Sequence, residues 1–319
     1  MKRLLLCLTT LFMLYGTGLA QSTAAFLRVV PDAAGAGLGG ASQALPLGAT
    51  DLFTNPALLD LNRGSVQVAL SNLIEYNLFQ YGALAVSFPL GQMGTAGVGL
   101  VGLNYPDLAR YDQVGQLMGT FNQYNVALLL AFSRQMLPFS VGAGLRVVQM
   151  GFGGLEGGNT GRGFSLDLGF YFTPRQSLKM GLSLHTGYAI SWRGGYQEAV
   201  PRQLQLGFLW QPPLLGQRLI GFVWGIDQVR DEPARLNAGV RLGFGFNQAG
   251  QPALAFFGGM NRLPLETRNQ AIELGQLTSA ERIYTAGAQL RIGSVRVSYA
   301  AWLHSRLPLR HLLTTKFEL

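Results

Sequence analysis

The residues with the most suggestive spacing are glycines. Gly35, Gly37 and Gly40 in "DAAGAGLGGA" reproduce the G-x-G-x-x-G pattern that cradles a dinucleotide pyrophosphate. That chemistry needs a strand before the glycines, a helix after them and a parallel βαβ unit around both. Here Pro31 interrupts the approach, and the segments that follow read as an antiparallel meander. Other chemistries are thinner still. His185, His304 and His311 are single and have no metal-ligand spacing. A lone His185 suits a hydrogen-bonded lining residue better than a ligand. No G-x-S-x-G elbow and no H-E-x-x-H motif occurs. Glu266, Glu273 and Glu281 gather loosely around 263–280, which suits a solvated loop better than a calcium site. No catalytic, cofactor-binding or metal-binding residue is therefore assigned, and the chain is read as a non-enzyme.

The rest of the sequence must say what the glycines position. Lys2 and Arg3 precede an almost wholly apolar run at 4–14, and Gly18-Leu19-Ala20 offers the small residues of a cleavage site. Residues 1–20 are expected to be a secretory signal peptide. The alternative is an uncleaved anchor, for which the run is short. The only cysteine, Cys7, lies inside it, so the mature chain is expected to lack thiol chemistry. Only 13% of residues are charged, 48% are hydrophobic and 43 are glycine. Soluble domains are about a quarter charged. Yet no stretch after residue 20 has the 18 or more apolar residues of a spanning helix. An exported, apolar chain without spanning helices points to a transmembrane β-barrel. Loss of Lys2 and Arg3 lowers the net charge from +8 to +6. The basic residues are scattered, so no nucleic acid is expected as a partner. Lipid headgroups and a polar lumen account for them instead.

From residue 62 onward the sequence alternates with period two, the strand signature. "GFSLDLGFYF" sets Phe164, Leu166, Leu168, Phe170 and Phe172 against Ser165, Asp167, Gly169 and Tyr171. "RLNAGVRLGFGF" sets Leu236, Val240, Leu242 and Phe244 against Asn237, Gly239, Arg241 and Gly243. Fourteen such segments are predicted, at 64–74, 78–89, 94–104, 121–133, 138–150, 161–173, 176–188, 200–211, 216–228, 234–247, 252–262, 281–292, 294–304 and 309–319. The connections alternate between short turns and longer loops at 105–120, 151–160, 189–199 and 263–280, as in outer-membrane barrels. An even strand number puts both chain ends on the periplasmic side. A soluble β-sandwich or propeller is the competing class, but its outward face would need charges that are missing here. A charge facing lipid at mid-bilayer costs about 2–4 kcal/mol. Arg146, Asp167, Lys179, Asp227, Arg241, Arg291 and Arg296 fall on the small, polar parity and should point into the lumen. Tyr124, Trp210, Trp224 and Tyr299 are candidates for the interfacial aromatic girdles. The chain closes on "HLLTTKFEL", whose apolar parity (Leu313, Phe317, Leu319) is similar to the signal read by outer-membrane insertion machinery.

The segment "FLRVVPDAAGAGLGGASQALPLGATDLFTNPALL" resembles the N-terminal region of the PorV/PorQ family, outer-membrane proteins of the type IX secretion system. The matching residues are Phe26, Leu27, Arg28, Pro31, Asp32, Ala33, Gly37, Gly39, Gly40 and Ala41, then Asp51 and Asn55-Pro56-Ala57. Ala34 stands where that family often has Arg, and the motif spans about a tenth of the chain. The resemblance implies a barrel of the FadL type, with fourteen strands (62–319) and an N-terminal hatch (21–61) folded into the lumen. It also implies partners: the translocon, surface-attachment proteins and the C-terminal domains of secreted cargo, besides outer-membrane lipid. On this reading the glycines and alanines are plug residues, chosen for lack of bulk. Asp32 and Asp51 would pair with lumen arginines such as Arg146 or Arg241. Asn55 would cap a short helix begun by Pro56.

Two functions follow. One is a secretion component that binds or shuttles proteins at the cell surface. The other is a FadL-like channel for fatty acids or other hydrophobic compounds, which requires an apolar pocket between hatch and wall. A purely structural barrel is a third reading.

Overall fold

The computed structural model describes residues 24–75, 79–154, 159–213, 219–230, 232, 234–246, 252–264, 283–304 and 309–319. The signal segment 1–20 lies outside these residues, as do Glu266, Glu273 and Glu281.

Sixteen strands are described: β1 (Gln67–Glu75), β2 (Phe79–Pro89), β3 (Thr95–Tyr111), β4 (Leu117–Met136), β5 (Phe139–Gly153), β6 (Thr160–Arg175), β7 (Leu178–His185), β8 (Tyr188–Trp192), β9 (Gln197–Val200), β10 (Gln203–Trp210), β11 (Ile220–Val229), β12 (Arg235–Phe246), β13 (Pro252–Pro264), β14 (Ile283–Ile292), β15 (Val295–His304) and β16 (Arg310–Glu318). Fourteen of them close into one antiparallel barrel. Neighbours in sequence pair throughout, β7 pairs with β10, and β16 returns to β1 with Gln67 opposite Glu318. Closure leaves no sheet edge, so backbone groups at membrane depth are satisfied within the wall.

The alternation sorts side chains as the sequence predicts. On β6, Phe164, Leu166 and Leu168 are 71%, 54% and 48% exposed, whereas Ser165 and Asp167 are buried. Leu128, Leu130, Leu242, Leu290 and Leu313 also stand outward and exposed. An outer surface this apolar is disfavoured in water and suits hydrocarbon. Of the four girdle candidates, Trp210 stands at a strand end, stacked on Phe222 with ring centroids 5.5 Å apart. Trp224 and Tyr299 lie nearer the middles of their strands, a correction to the girdle assignment, whereas Tyr124 lies between the projecting tip of β4 and the outward apolar run that starts at Val126.

Two stretches expected as loops carry strand. In 105–120, β3 and β4 run on as a paired hairpin and leave only 112–116 as a turn. In 189–199, β8 and β9 form a hairpin that extends β7 and β10 and pairs with β6 at Gly161 and Arg162. The reason is that these strands project beyond the apolar band. At the tips of β3 and β4 both faces meet water, so the backbone pairs without period-two hydrophobicity, whereas β8 is a short alternating strand that turns Ile190 and Trp192 into the lumen. The short turns 90–94, 137–138, 176–177 and 293–294 lie at the barrel end that also holds the start of β1 and the end of β16.

Residues 24–63 fill the lumen. They comprise 3₁₀ turns at Ala25–Arg28, Ala49–Phe53 and Pro56–Asn62, and one short helix, α1 (Ala33–Gly37). Helix α1 packs on β13 to β16, Ala49–Phe53 on β1 to β4, and Pro56–Asn62 on β3 to β6. Leu38, Leu52, Leu58 and Leu59 are fully buried. Each contributes about 1.5–3 kcal/mol by leaving water.

Candidate functional site

The plug is fastened to the wall by the residues of its motif. Asp32 caps α1, accepting from Ala34 N–H (2.9 Å) and Gly35 N–H (3.2 Å). Its other oxygen accepts from Thr50 Oγ1 at 2.6 Å and is ion-paired with Lys316 Nζ. Ala33 N–H donates to Thr314 Oγ1 on β16 at 2.9 Å. The first three N–H groups of α1 are thus taken, which leaves none for a phosphate. Gly35 packs against Val30 and Leu47, and a Cβ on Gly37 would lie 3.1 Å from Phe257 Cβ. The nucleotide spacing is therefore a packing pattern. Gly39 and Gly40 adopt φ of +69° and +81°, which end α1 where a side-chain-bearing residue would be strained.

The remaining motif residues do similar work. Asp51 accepts from Leu47 N–H and Gly48 N–H, both at 2.9 Å. Asn55 caps Pro56–Asn62 by accepting from Ala57 N–H (3.1 Å), and its amide donates to Gln43 O (2.9 Å). Ala57 O accepts from Ser133 Oγ and Ser140 Oγ on β4 and β5. Pro31 O accepts from Ser71 Oγ at 2.8 Å. Arg28 forks onto Glu232 at 2.7 and 3.1 Å. Phe26 is buried in the apolar cluster described below. The wall meets the plug with glycine. A Cβ on Gly142 would lie 2.5 Å from Ala57 N, and one on Gly207 2.8 Å from Gln43 Cβ. Gly181 and Gly239 likewise face plug backbone, whereas Gly144 and Gly245 face their own sheet neighbours.

The two plug carboxylates differ electrostatically. Burial alone would raise Asp32, but the Lys316 ammonium and the hydrogen bonds of Thr50 and Gly35 outweigh it, holding the carboxyl below its ordinary value. For Asp51 burial is the larger effect and outweighs the backbone donors of Gly48 and Leu47 and the more distant Lys316, pushing it up to about 7.

The expected pairing of Asp32 and Asp51 with Arg146 or Arg241 is not what forms. Arg146 instead donates to Asp167 Oδ2 at 2.8 Å, and His185 Nδ1 lies 2.9 Å from Asp167 Oδ1. Arg146 and Asp167 lie on neighbouring strands, two positions off register, so the wall neutralises its own charge. His185 is thereby a hydrogen-bonded lining residue, as read from sequence. Arg291 and Arg296 face each other across β14–β15 and share Glu318, at 2.5 and 2.7 Å. Arg241, on β12, faces the space between plug and turn-side rim. Lys316 escaped the sequence reading. The outward parity of Leu313, Phe317 and Leu319 places it inward with Thr314, and that parity was the available signal.

The loop-side half of the lumen is apolar along β1 to β5 and β8, beside the Arg146–Asp167–His185 group. Leu73, Tyr81, Val101, Leu103, Leu129, Val148, Met150, Ile190 and Trp192 form one buried cluster on its inner face. Phe26, Leu52 and Phe53 of the plug pack into it, with Leu27 and Val29 partly buried against it. Only about 10 Å³ remains open between Leu27, Val29, Phe53, Tyr81, Leu129 and Arg146. Barrel interiors are ordinarily polar. This one carries an apolar sector instead. Among the described residues, no group of three or more His, Cys, Asp and Glu side chains could hold a metal ion.

No known family profile and no curated protein sequence matches the chain. Solved structures do. The toluene transporter TbuX of Ralstonia pickettii superimposes with a TM-score of 0.61 at 13% identity, over 92% of this chain and all of that one. The toluene transporter TodX of P. putida gives 0.59 at 12%, covering 90% of this chain and 98% of the other. A Pseudomonas aeruginosa FadL homologue gives 0.55 at 10%, with 90% and 98% covered. At these identities the likeness carries the fold, and the chain is built on the fold of these three proteins along nearly its whole length.

Proposed function

We propose that this protein is an outer-membrane channel for small hydrophobic compounds. The observation that carries the reading is the apolar loop-side lumen, buried against Phe26, Leu52 and Phe53 of the plug. A hydrophilic pore gains nothing from such a lining, whereas an apolar solute gains about 25 cal/mol for each Å² it removes from water. The shared fold with two toluene transporters supports the same reading. The outward-facing leucines and phenylalanines support residence in a bilayer. The type IX secretion reading has less support. It rests on the motif of 26–57, and those residues cap, pair and pack inside the plug.

The test is uptake of a radiolabelled monoaromatic by a Gram-negative host that lacks such channels. Expression of this chain should accelerate uptake of toluene over a hydrophilic solute of similar size. Equal rates for both solutes, together with recovery of secretion components on affinity purification, would replace the channel reading with the secretion one.

A further inference from the structure

The plug divides the lumen into two unlike halves. On the turn side lies a cavity of about 380 Å³, within the roughly 300–1,000 Å³ of small-molecule sites. Its plug side is partly apolar, with Ala34, Leu45 and Leu47. Its wall side carries three cationic residues from three strands: Lys179 on β7, Arg241 on β12 and Arg296 on β15. The side-chain amides of Gln135, Gln211 and Gln289 border them. No Asp or Glu is among the described residues that line the cavity.

The charges are unevenly answered. Glu318 takes up part of Arg296, and shares itself with Arg291. Arg241 makes no hydrogen bond or ion pair with any described residue, and its electrostatic neighbour is a second cation, Arg296. A guanidinium stays protonated in proteins and presents five donors in a planar fork. Holding one beside another cation in a confined lumen is unfavourable unless an anion completes it. The contrast with the other half is instructive, since there Arg146 is matched within the wall by Asp167.

We propose that the turn-side cavity binds a small oxyanion, a phosphate or carboxylate group on a soluble molecule. Arg241 receives the group through its fork. Lys179 and Arg296 supply flanking charge, and the amides of Gln135, Gln211 and Gln289 donate to its remaining oxygens. This site is separate from the apolar half and does not rest on the channel reading.

Isothermal titration of the detergent-solubilised full chain tests it. Inorganic phosphate and succinate are titrated separately against a constant chloride background, so that the arms distinguish a phosphate from a carboxylate preference. At least one should bind with a dissociation constant below about 1 mM. Arg241→Gln should weaken that binding by about tenfold or more, and Arg241→Lys by less, since it keeps the charge and loses the fork. Arg110→Gln, at an exposed position of the β3 extension, should leave it unchanged. Heat-dependent gel mobility reports whether each variant forms the barrel. Should Arg241→Gln fail to fold, Lys179→Gln and Gln289→Leu carry the same expectation. Absence of binding by both anions, or binding lowered equally by Arg110→Gln and Arg241→Gln, overturns the proposal.

Discussion

Asp32 of the plug and Lys316 of the last strand form an ion pair with only 1% and 4% of their surfaces exposed. Lys316 also donates to Leu47 O at 2.7 Å, so one side chain holds the plug at two points. Removing one partner of a buried pair leaves an uncompensated charge, at a cost of about 3–5 kcal/mol. Lys316→Met should therefore loosen the plug without opening the wall. Hydrogen exchange should accelerate across 31–62 while β4 and β5 keep their protection. The double variant Asp32→Asn/Lys316→Met should cost less than the two single changes added together. Native exchange in the single variant would remove the pair from its fastening role.

Asp51 gives the plug a pH dependence of definite sign. Its carboxyl titrates near 7 when docked, against 3.8 ordinarily, so the docked plug holds a proton that a displaced plug releases. Between those values docking weakens as pH rises, by at most about tenfold per pH unit. Asp32 works in the opposite sense. Its contribution is present above its ordinary value and is lost as pH falls through the lower, docked one. Docking should thus be tightest near the acidic end of the Asp51 window. The measurement is thiol labelling of Ser42→Cys, buried beneath the plug surface, compared at each pH with the same variant carrying Asp51→Asn. The ratio of the two rates should change between pH 5 and 7.5. A flat ratio would show that Asp51 does not titrate on displacement.

The wall was legible in the sequence because lipid and lumen impose opposite demands on alternate residues. That logic located fourteen strands and turned Arg146, Asp167, Arg241 and Arg291 inward. It failed at the tips of β3 and β4, where water on both faces removes the constraint, and at β8–β9, where the alternating run of β8 is only five residues long. The plug was legible in kind through the resemblance of its N-terminal motif to the PorV/PorQ family, and its glycine and alanine content fitted that reading. Its partners were not, because Asp32 meets Lys316 across 284 residues of sequence and no local spacing encodes that meeting. The apolar loop-side lumen was hidden for a related reason. Val101, Leu129 and Val148 occupy the parity assigned to small and polar residues, so their strands read as apolar on both faces.

Phe26 should control access to that lumen. Its ring is buried in the cluster with Val148, Ile190 and Trp192. Phe26→Ala removes a side chain that fills space a solute would need, and the open volume beside its neighbour Leu27 is now about 10 Å³. Uptake of a monoaromatic should rise several-fold in this variant. Leu73→Glu, which puts a carboxylate into the same lining opposite Leu312 and Tyr81 with no cation across from it, should lower it, since burying such a group is strongly unfavourable. Opposite effects from two changes in one lining separate solute passage from general loss of folding. If both variants transport like the parent, the apolar lumen is not the route.

Gly142 and Leu128 test whether plug and wall are stabilised independently. Both lie in the β4–β5 wall, one facing the plug and one facing out. A side chain at Gly142 would collide with the Pro56–Ala57 backbone, which has little room to retreat because Ala57 O is fixed by Ser133 and Ser140. Gly142→Val should therefore expel or distort 55–62, seen as proteolysis confined to the plug, with the barrel's heat-dependent gel shift intact. Leu128→Arg places a charge on the outer face and should cost about 2–4 kcal/mol of folding into vesicles. It should leave the plug segment as protease-resistant as in the parent once the barrel has formed. The distinction follows from what each position touches. The inner glycine meets backbone that is already hydrogen-bonded, whereas the outer leucine meets only hydrocarbon. Loss of barrel folding in Gly142→Val would mean that the plug is an obligatory core for closure rather than an insert held by its own bonds.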